Sequence, residues 1–492
     1  MKNLLLTALM LAAGSVTAAD KNAPALMLGT EELLPQGSIA ISDLLADATF
    51  VGSGSRTVDF NEASAKYDIG LRVFRANDGG YWIAGLHSAG GSSAIELAIA
   101  KLTSSGSLDT SYNTTGKKTF TTDLTTLRDV AIGVTDTLYF VGTRVAAGFS
   151  DTDLEIRCID SSGAYCSGFG TGGIKNFALD LGDANHHNDI PTRIVWYASS
   201  LYIVGETDTG AGASNSAAFA VKLASTSGLP DSGFGNAPGH AGVFVHNIDH
   251  VANGRDVAFD VLAYSPAPFA TRLVLVGQTA RGNGNDIDGF VLSVDGVTGA
   301  TDGFIDESVY ADLGTGKQDA LLRVMRRHNG GFVVAGTAQD DSASPTQYQL
   351  LMAAYKPNGS VDSGFGDNGD GTLHKLVLSG YNVPYGLAER DGNRDLVVGL
   401  NLKDDLFGDG HQIEGVIQFG RNGNTSHAVA TLDFAGTPRL SLGTDLIMDG
   451  NAVVTAGTRV WSQTVSDTDM TIARFIANDG LFADAFGGHT SD

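Results

Sequence analysis

Leu201-Tyr202-Ile203-Val204-Gly205 is a continuous apolar run closed by a glycine, and it is one of a series. Tyr81-Trp82-Ile83-Ala84-Gly85 and Leu138-Tyr139-Phe140-Val141-Gly142 precede it; Leu273-Val274-Leu275-Val276-Gly277 and Phe332-Val333-Val334-Ala335-Gly336 follow. Leu396-Val397-Val398-Gly399 and Val453-Val454-Thr455-Ala456-Gly457 complete seven copies, with glycines 57, 63, 72, 59, 63 and 58 residues apart. Such runs, β-branched or aromatic and bounded by turn residues, read as buried strands.

Each copy carries further strand-like segments in constant order. One precedes the glycine run, as in Asp129-Val130-Ala131-Ile132. One with period-two alternation follows it, as in Phe219-Ala220-Val221-Lys222-Leu223. A glycine-rich turn then leads to a fourth, as in Lys117-Lys118-Thr119-Phe120. A unit of four short strands cannot hide both faces alone, whereas stacked units arranged in a circle can. The spacing predicts an all-β, seven-bladed β-propeller of four antiparallel strands per blade, over residues 37–492. The terminal glycine is expected at a bulge or a close backbone approach.

The turn before the fourth strand has a signature. It reads Gly106-Ser107-Leu108-Asp109-Thr110-Ser111-Tyr112, then Gly228-Leu229-Pro230-Asp231-Ser232-Gly233-Phe234-Gly235, then Gly359-Ser360-Val361-Asp362-Ser363-Gly364-Phe365-Gly366. Asp there is suited to bond the amide two residues on, with the aromatic packed beneath. In the second copy Cys166 takes the Asp position. These residues resemble the delta-60 repeat family of bacterial β-propellers over roughly residues 37 to 488. The resemblance implies an exported propeller and brings no catalytic residues. Asp47 to Phe60 looks like a turn plus a fourth strand, whereas the C-terminus ends after Phe486-Gly487-Gly488 without one. Arg56 to Phe60 is therefore expected to complete the last blade, removing an open edge.

Residues 1–19 read as a signal peptide: Lys2, an apolar run from Leu4 to Ala13, and small residues through Ala19; residues 20–36 read as a linker. No later stretch has the length of a membrane span. Export to the periplasm or beyond permits a disulfide between Cys158 and Cys166, with two buried thiols as the alternative. The formal charge of −24 disfavours nucleic acid and anionic lipid. A monomer is expected.

Function is less legible. No Gly-x-Ser-x-Gly elbow, His-Glu-x-x-His helix or phosphate loop occurs. Asp151-Thr152-Asp153, Asp286-Ile287-Asp288 and Asp467-Thr468-Asp469 fall on loops of one rim and are Ca²⁺ candidates, solvated carboxylates being the alternative. Arg72, Arg128, Arg193, Arg255, Arg323 and Arg439 recur near first strands; they are read either as an anion site at the channel mouth or as partners for neighbouring Asp. His186, His187, Asp189, His246 and His250 are a weaker transition-metal candidate. The leading expectation is a non-catalytic module binding an unknown protein or small molecule through an acidic loop face. The second is a secreted metal-dependent hydrolase or lyase with its site at the mouth of the central channel, and the third is an adhesive surface protein.

Overall fold

The computed structural model describes residues 44–60, 67–88, 95–145, 151–181, 188–209, 215–248, 254–265, 271–281, 286–305, 308–310, 317–341, 346–366, 369–378, 380–403, 412–424, 429–432, 440–462 and 467–477. The signal segment and the linker lie outside them. Among the described residues every regular element is a strand.

The strands pair as successive antiparallel meanders. Tyr67–Arg75, Tyr81–Ser88, Glu96–Leu102 and Lys117–Thr121 form one set, each strand beside the next. The same order returns over residues 126–177, 189–246, 256–310, 320–375 and 381–432. Leu440–Asp449, Ala452–Ser462 and Asp467–Ala477 follow as a further set. Its fourth strand is Ser55–Val58, antiparallel to Asp467–Ala477 with Ser55 opposite Ala473 and Val58 opposite Met470. First strands of successive sets lie side by side, and Leu440–Asp449 lies against Tyr67–Arg75. The architecture is that of a β-propeller.

Burial explains the repeat. Every residue of Tyr81–Ser88 is buried, because each second strand has a neighbouring set on either face. Between sets the apolar side chains interlock: Phe50, Val73, Ile83, Val454 and Ile472 share one cluster across the join of N- and C-terminal segments. Burying such side chains contributes about 1.5–3 kcal/mol each.

The glycine expected at the end of each second strand lies inside it, as Gly85 does within Tyr81–Ser88, and answers to a bulge in the first strand. Pairing slips between Gly70 and Arg72, and likewise in the other first strands. The displaced backbone crowds the glycine: a Cβ on Gly336 would lie 1.8 Å from the Ala320 carbonyl oxygen, and one on Gly277 1.9 Å from that of Val257.

The turns repeat in detail. Asp109 N–H donates to the Lys101 carbonyl and Tyr112 N–H to the Asp109 carbonyl; the pattern returns at Asp231, Asp362 and Cys166. The Asp231 carboxylate accepts Gly233 N–H at 3.0 Å, as the sequence predicts. It also meets Lys222 Nζ at 2.8 Å across the turn. In the second set both members of that pair are cysteine, and Cys158 and Cys166 are joined by a disulfide. Asp47 supplies the same turn to the last set, where Arg474 Nη1 meets it at 2.9 Å. The turn aromatics Phe50, Phe169 and Phe365 are buried.

Candidate functional site

The bulges set one residue of each first strand in register: Arg72, Asp129, Arg193, Asp260, Arg323, Gly386 and Asp445. Charge alternates along this belt. An odd number of positions cannot alternate without a fault, and Gly386 is where the fault falls. Arg72 Nε donates to Asp129 at 2.5 Å and Nη1 to Asp445 at 2.9 Å. Arg193 Nε lies 2.8 Å from Asp260 and 3.7 Å from Asp129. Arg323 Nε donates to the Tyr385 carbonyl at 2.7 Å and feels the attraction of Asp260. The aspartates also accept backbone amides from another set: Ile194 to Asp129, Val324 to Asp260, Val73 to Asp445. Burial pushes Asp129 up to about 6 against the pull of Arg72. Three guanidinium and three carboxylate groups sum to zero, so Arg72, Arg193 and Arg323 have their counter-charges inside the fold.

The other expected arginines sit differently. Arg255 Nε meets Glu206 at 2.6 Å, and its Nη2 bonds the second carboxylate oxygen. Arg128 is the extra residue of its bulge, between Leu127 and Asp129. Its Nε and Nη1 are sealed from solvent with no acceptor. Burial pushes this guanidinium down to about 10, opposed by Glu206. A buried polar group left unpaired costs about 1–3 kcal/mol, more when charged. Arg439 lies outside the described residues.

The carboxylates of the rim gather at two places. Asp151 and Asp153 meet Asp180, one oxygen of each within 4.8 Å of the others. Asp151 Oδ1 is sealed and unpartnered. Burial, then the charges of Asp180 and Asp151, push the Asp153 carboxyl up. Asp469 meets Asp59 and Asp68 at the same mutual spacing. His87 Nδ1 lies 2.6 Å from Asp68 Oδ1, and its ring packs near Phe60. Phe60 N–H bonds the other Asp68 oxygen at 3.0 Å. Arg459 stands opposite Asp469 across the strand pair. Asp68, Asp469 and His87 are buried and Asp59 is half-buried.

Asp68 has counterparts that serve the fold. Asp189 accepts Leu179 N–H and the Thr207 hydroxyl, and Asp256 accepts Ile248 N–H. The Asp68 site differs by an imidazole where threonine stands at 207, and by the two added acids. Of the remaining calcium candidates, Asp288 faces Arg281 at 3.2 Å and Asp286 stands beside it without joining a cluster. The side chain of Asp467, together with His186, His187 and His250, lies outside what is described; His246 stacks on Phe244. Asp59, Asp180 and His87 were missed in the sequence, where no spacing ties them to the Asp-x-Asp pairs.

No protein-family model matches the chain, and no curated protein matches it by sequence. Solved propellers do. The polysaccharide lyase Uly1 is 10% identical with a TM-score of 0.48, covering 83% of this chain and 90% of that one. The GH93 α-L-arabinofuranosidase of Fusarium graminearum is 9% identical at 0.38, covering 83% and 92%. The β-propeller domain of the Trilobed protease from Pyrococcus furiosus is 9% identical at 0.40, covering 86% and 99%. The first two are named as enzymes. The expectation of a non-catalytic binding module is corrected on that finding.

Proposed function

We propose that the chain is an exported, metal-dependent hydrolase or lyase built on a seven-bladed propeller, with Ser55–Val58 closing the last blade. The observation that carries the reading is the meeting of Asp59, Asp68 and Asp469 beside His87. Three segments converge there: the end of the closing strand, the start of the first blade and the third strand of the last. Hard carboxylate oxygens at this spacing suit a divalent cation such as Ca²⁺. Such an ion, when bound, polarises a substrate oxygen or acidifies a water. Asp68 is fixed by Phe60 N–H and His87, so its orientation is set before any ligand arrives. Asp59, the most open of the three, is positioned to accept a proton from substrate or water. Both enzymes named above come from polysaccharide- or arabinoside-cleaving classes, and glycans are the substrate class to try first. The disulfide supports export, as does the signal-like start of the chain.

The test is a screen of the purified protein on neutral and uronic-acid polysaccharides, with and without chelator. New reducing ends indicate hydrolysis; new reducing ends with an unsaturated product indicate a lyase. Chelator-sensitive cleavage lost in Asp59→Asn is expected. No cleavage over the panel, or cleavage untouched by chelator and by Asp59→Asn, overturns the reading.

A further inference from the structure

We propose that Arg128 anchors a separate oxyanion site between the second and third sets, formed by Arg128 and Arg255 around Glu206. Guanidinium groups in this protein find acids easily, because acids outnumber bases 55 to 31. Arg128 does not. Among the described residues no carboxylate pairs with it, and its Nε and Nη1 have no acceptor although both are sealed from bulk water. The acid near it is already committed. Glu206 takes both contacts from Arg255 and also the Ser216 hydroxyl at 3.1 Å. Asp208 acts on Arg255 and accepts both the backbone and side-chain amides of Asn188 at 2.9 Å. Both acids are thus bonded elsewhere, and Arg128 is left without an acceptor of its own.

The contrast with the belt is internal. Arg193 occupies the neighbouring first strand and stands between Asp260 and Asp129. Arg128 has instead only Glu206 acting on it, opposed by Arg255, and two nitrogens with no acceptor. Arg128 is half-buried, so part of the side chain remains open to solvent. Surplus N–H donors in a partly dry setting suit a compact oxyanion, whether a carboxylate, a sulfate or a phosphate. The loss of charge stability on burial fits a group that awaits a counter-ion. This site shares no residue with the Asp59–Asp68–Asp469 cluster, and its test needs no catalytic readout.

The experiment is thermal unfolding of the intact protein with sodium sulfate, phosphate, glucuronate or acetate against equal ionic strength of chloride. At least one oxyanion should raise the midpoint saturably. Arg128→Met should abolish that rise while leaving the anion-free midpoint equal or higher, because a sealed unpaired charge has gone. Glu206→Gln should tighten the same anion about tenfold by freeing Arg255. The winning probe separates a sugar carboxylate from a free inorganic ion. The proposal fails if no oxyanion shifts wild type beyond chloride, or if Arg128→Met keeps the shift. It also fails if Arg128→Met lowers the anion-free midpoint and Glu206→Gln leaves affinity unchanged, since Arg128 is then purely structural.

Discussion

The belt of the first strands and the acidic clusters of the rim use the same side chains to opposite ends. In the belt each aspartate meets an arginine or a backbone amide, and the charges cancel. At the rim, Asp151, Asp153 and Asp180 gather in one place with Arg144 acting on Asp153, and Asp59, Asp68 and Asp469 gather in another beside His87 and Arg459, so that three acids crowd together at each. Buried ions are tolerated when paired and hydrogen-bonded, and are costly otherwise. Charges matched within the chain hold the fold; charges left in excess point to something the chain binds.

Breaking the belt should have the largest effect. Arg72→Met strands Asp129 and Asp445 and is expected to cost about 3–5 kcal/mol, read as a lower urea midpoint. A cost below about 1 kcal/mol would mean that the belt is not load-sharing in this way. The rim should respond to ions instead. Calcium at about 100 times its Kd should stabilise the protein by about 2.7 kcal/mol, and Asp153→Asn should cut that gain. Calcium-independent melting in wild type would refute the Asp151 cluster as a cation site. The disulfide bears on the turns: Cys158→Ser with Cys166→Ser should cost about 2–3 kcal/mol. Lys222→Met, which removes the equivalent half-exposed ion pair, should cost under about 1 kcal/mol.

Proton linkage sharpens the comparison with a smaller effect. Burial pushes Glu414, bonded by the Tyr385 hydroxyl at 3.2 Å, up to about 7, and Asp189 is likewise raised to about 7. Unfolded acids titrate near about 4. Between those values the folded state holds more protons, so stability is greatest at the acid end and is lost as pH rises through about 7. Melting midpoints should therefore fall from pH 5 to pH 8, and Glu414→Gln should flatten the slope. An unchanged slope in the variant would remove Glu414 from the account.

Much of the fold was legible because its causes are local. The apolar run before each glycine, the Asp turns and the strand-like segment near Arg56 are visible as residue types at a fixed period. The crowding of Gly336 by the Ala320 carbonyl is the physical reason the run ends in glycine. The site was legible only in part. Asp151, Asp153 and Asp469 stand out as Asp-x-Asp pairs, but Asp180 and His87 reach them through strand pairing and links between sets. Recurring arginines read as one series, yet they divide. Arg72, Arg193 and Arg323 occupy the bulge register, Arg255 precedes its strand, and Arg128 is displaced by one residue. That one-residue offset separates a belt partner from an unpaired guanidinium; it stands in the sequence as fourteen residues from Arg128 to Gly142 against thirteen from Arg72 to Gly85, but only the bulge gives it meaning.

The most direct measurement is the divalent-metal content of the purified protein, compared between wild type and Asp469→Asn with unfolding monitored in parallel. Wild type should retain a divalent ion that Asp469→Asn loses while the melting transition stays cooperative. A metal-free wild type, or the same ion retained in the variant, would contradict the claim that the clustered carboxylates at the closing strand form the working site.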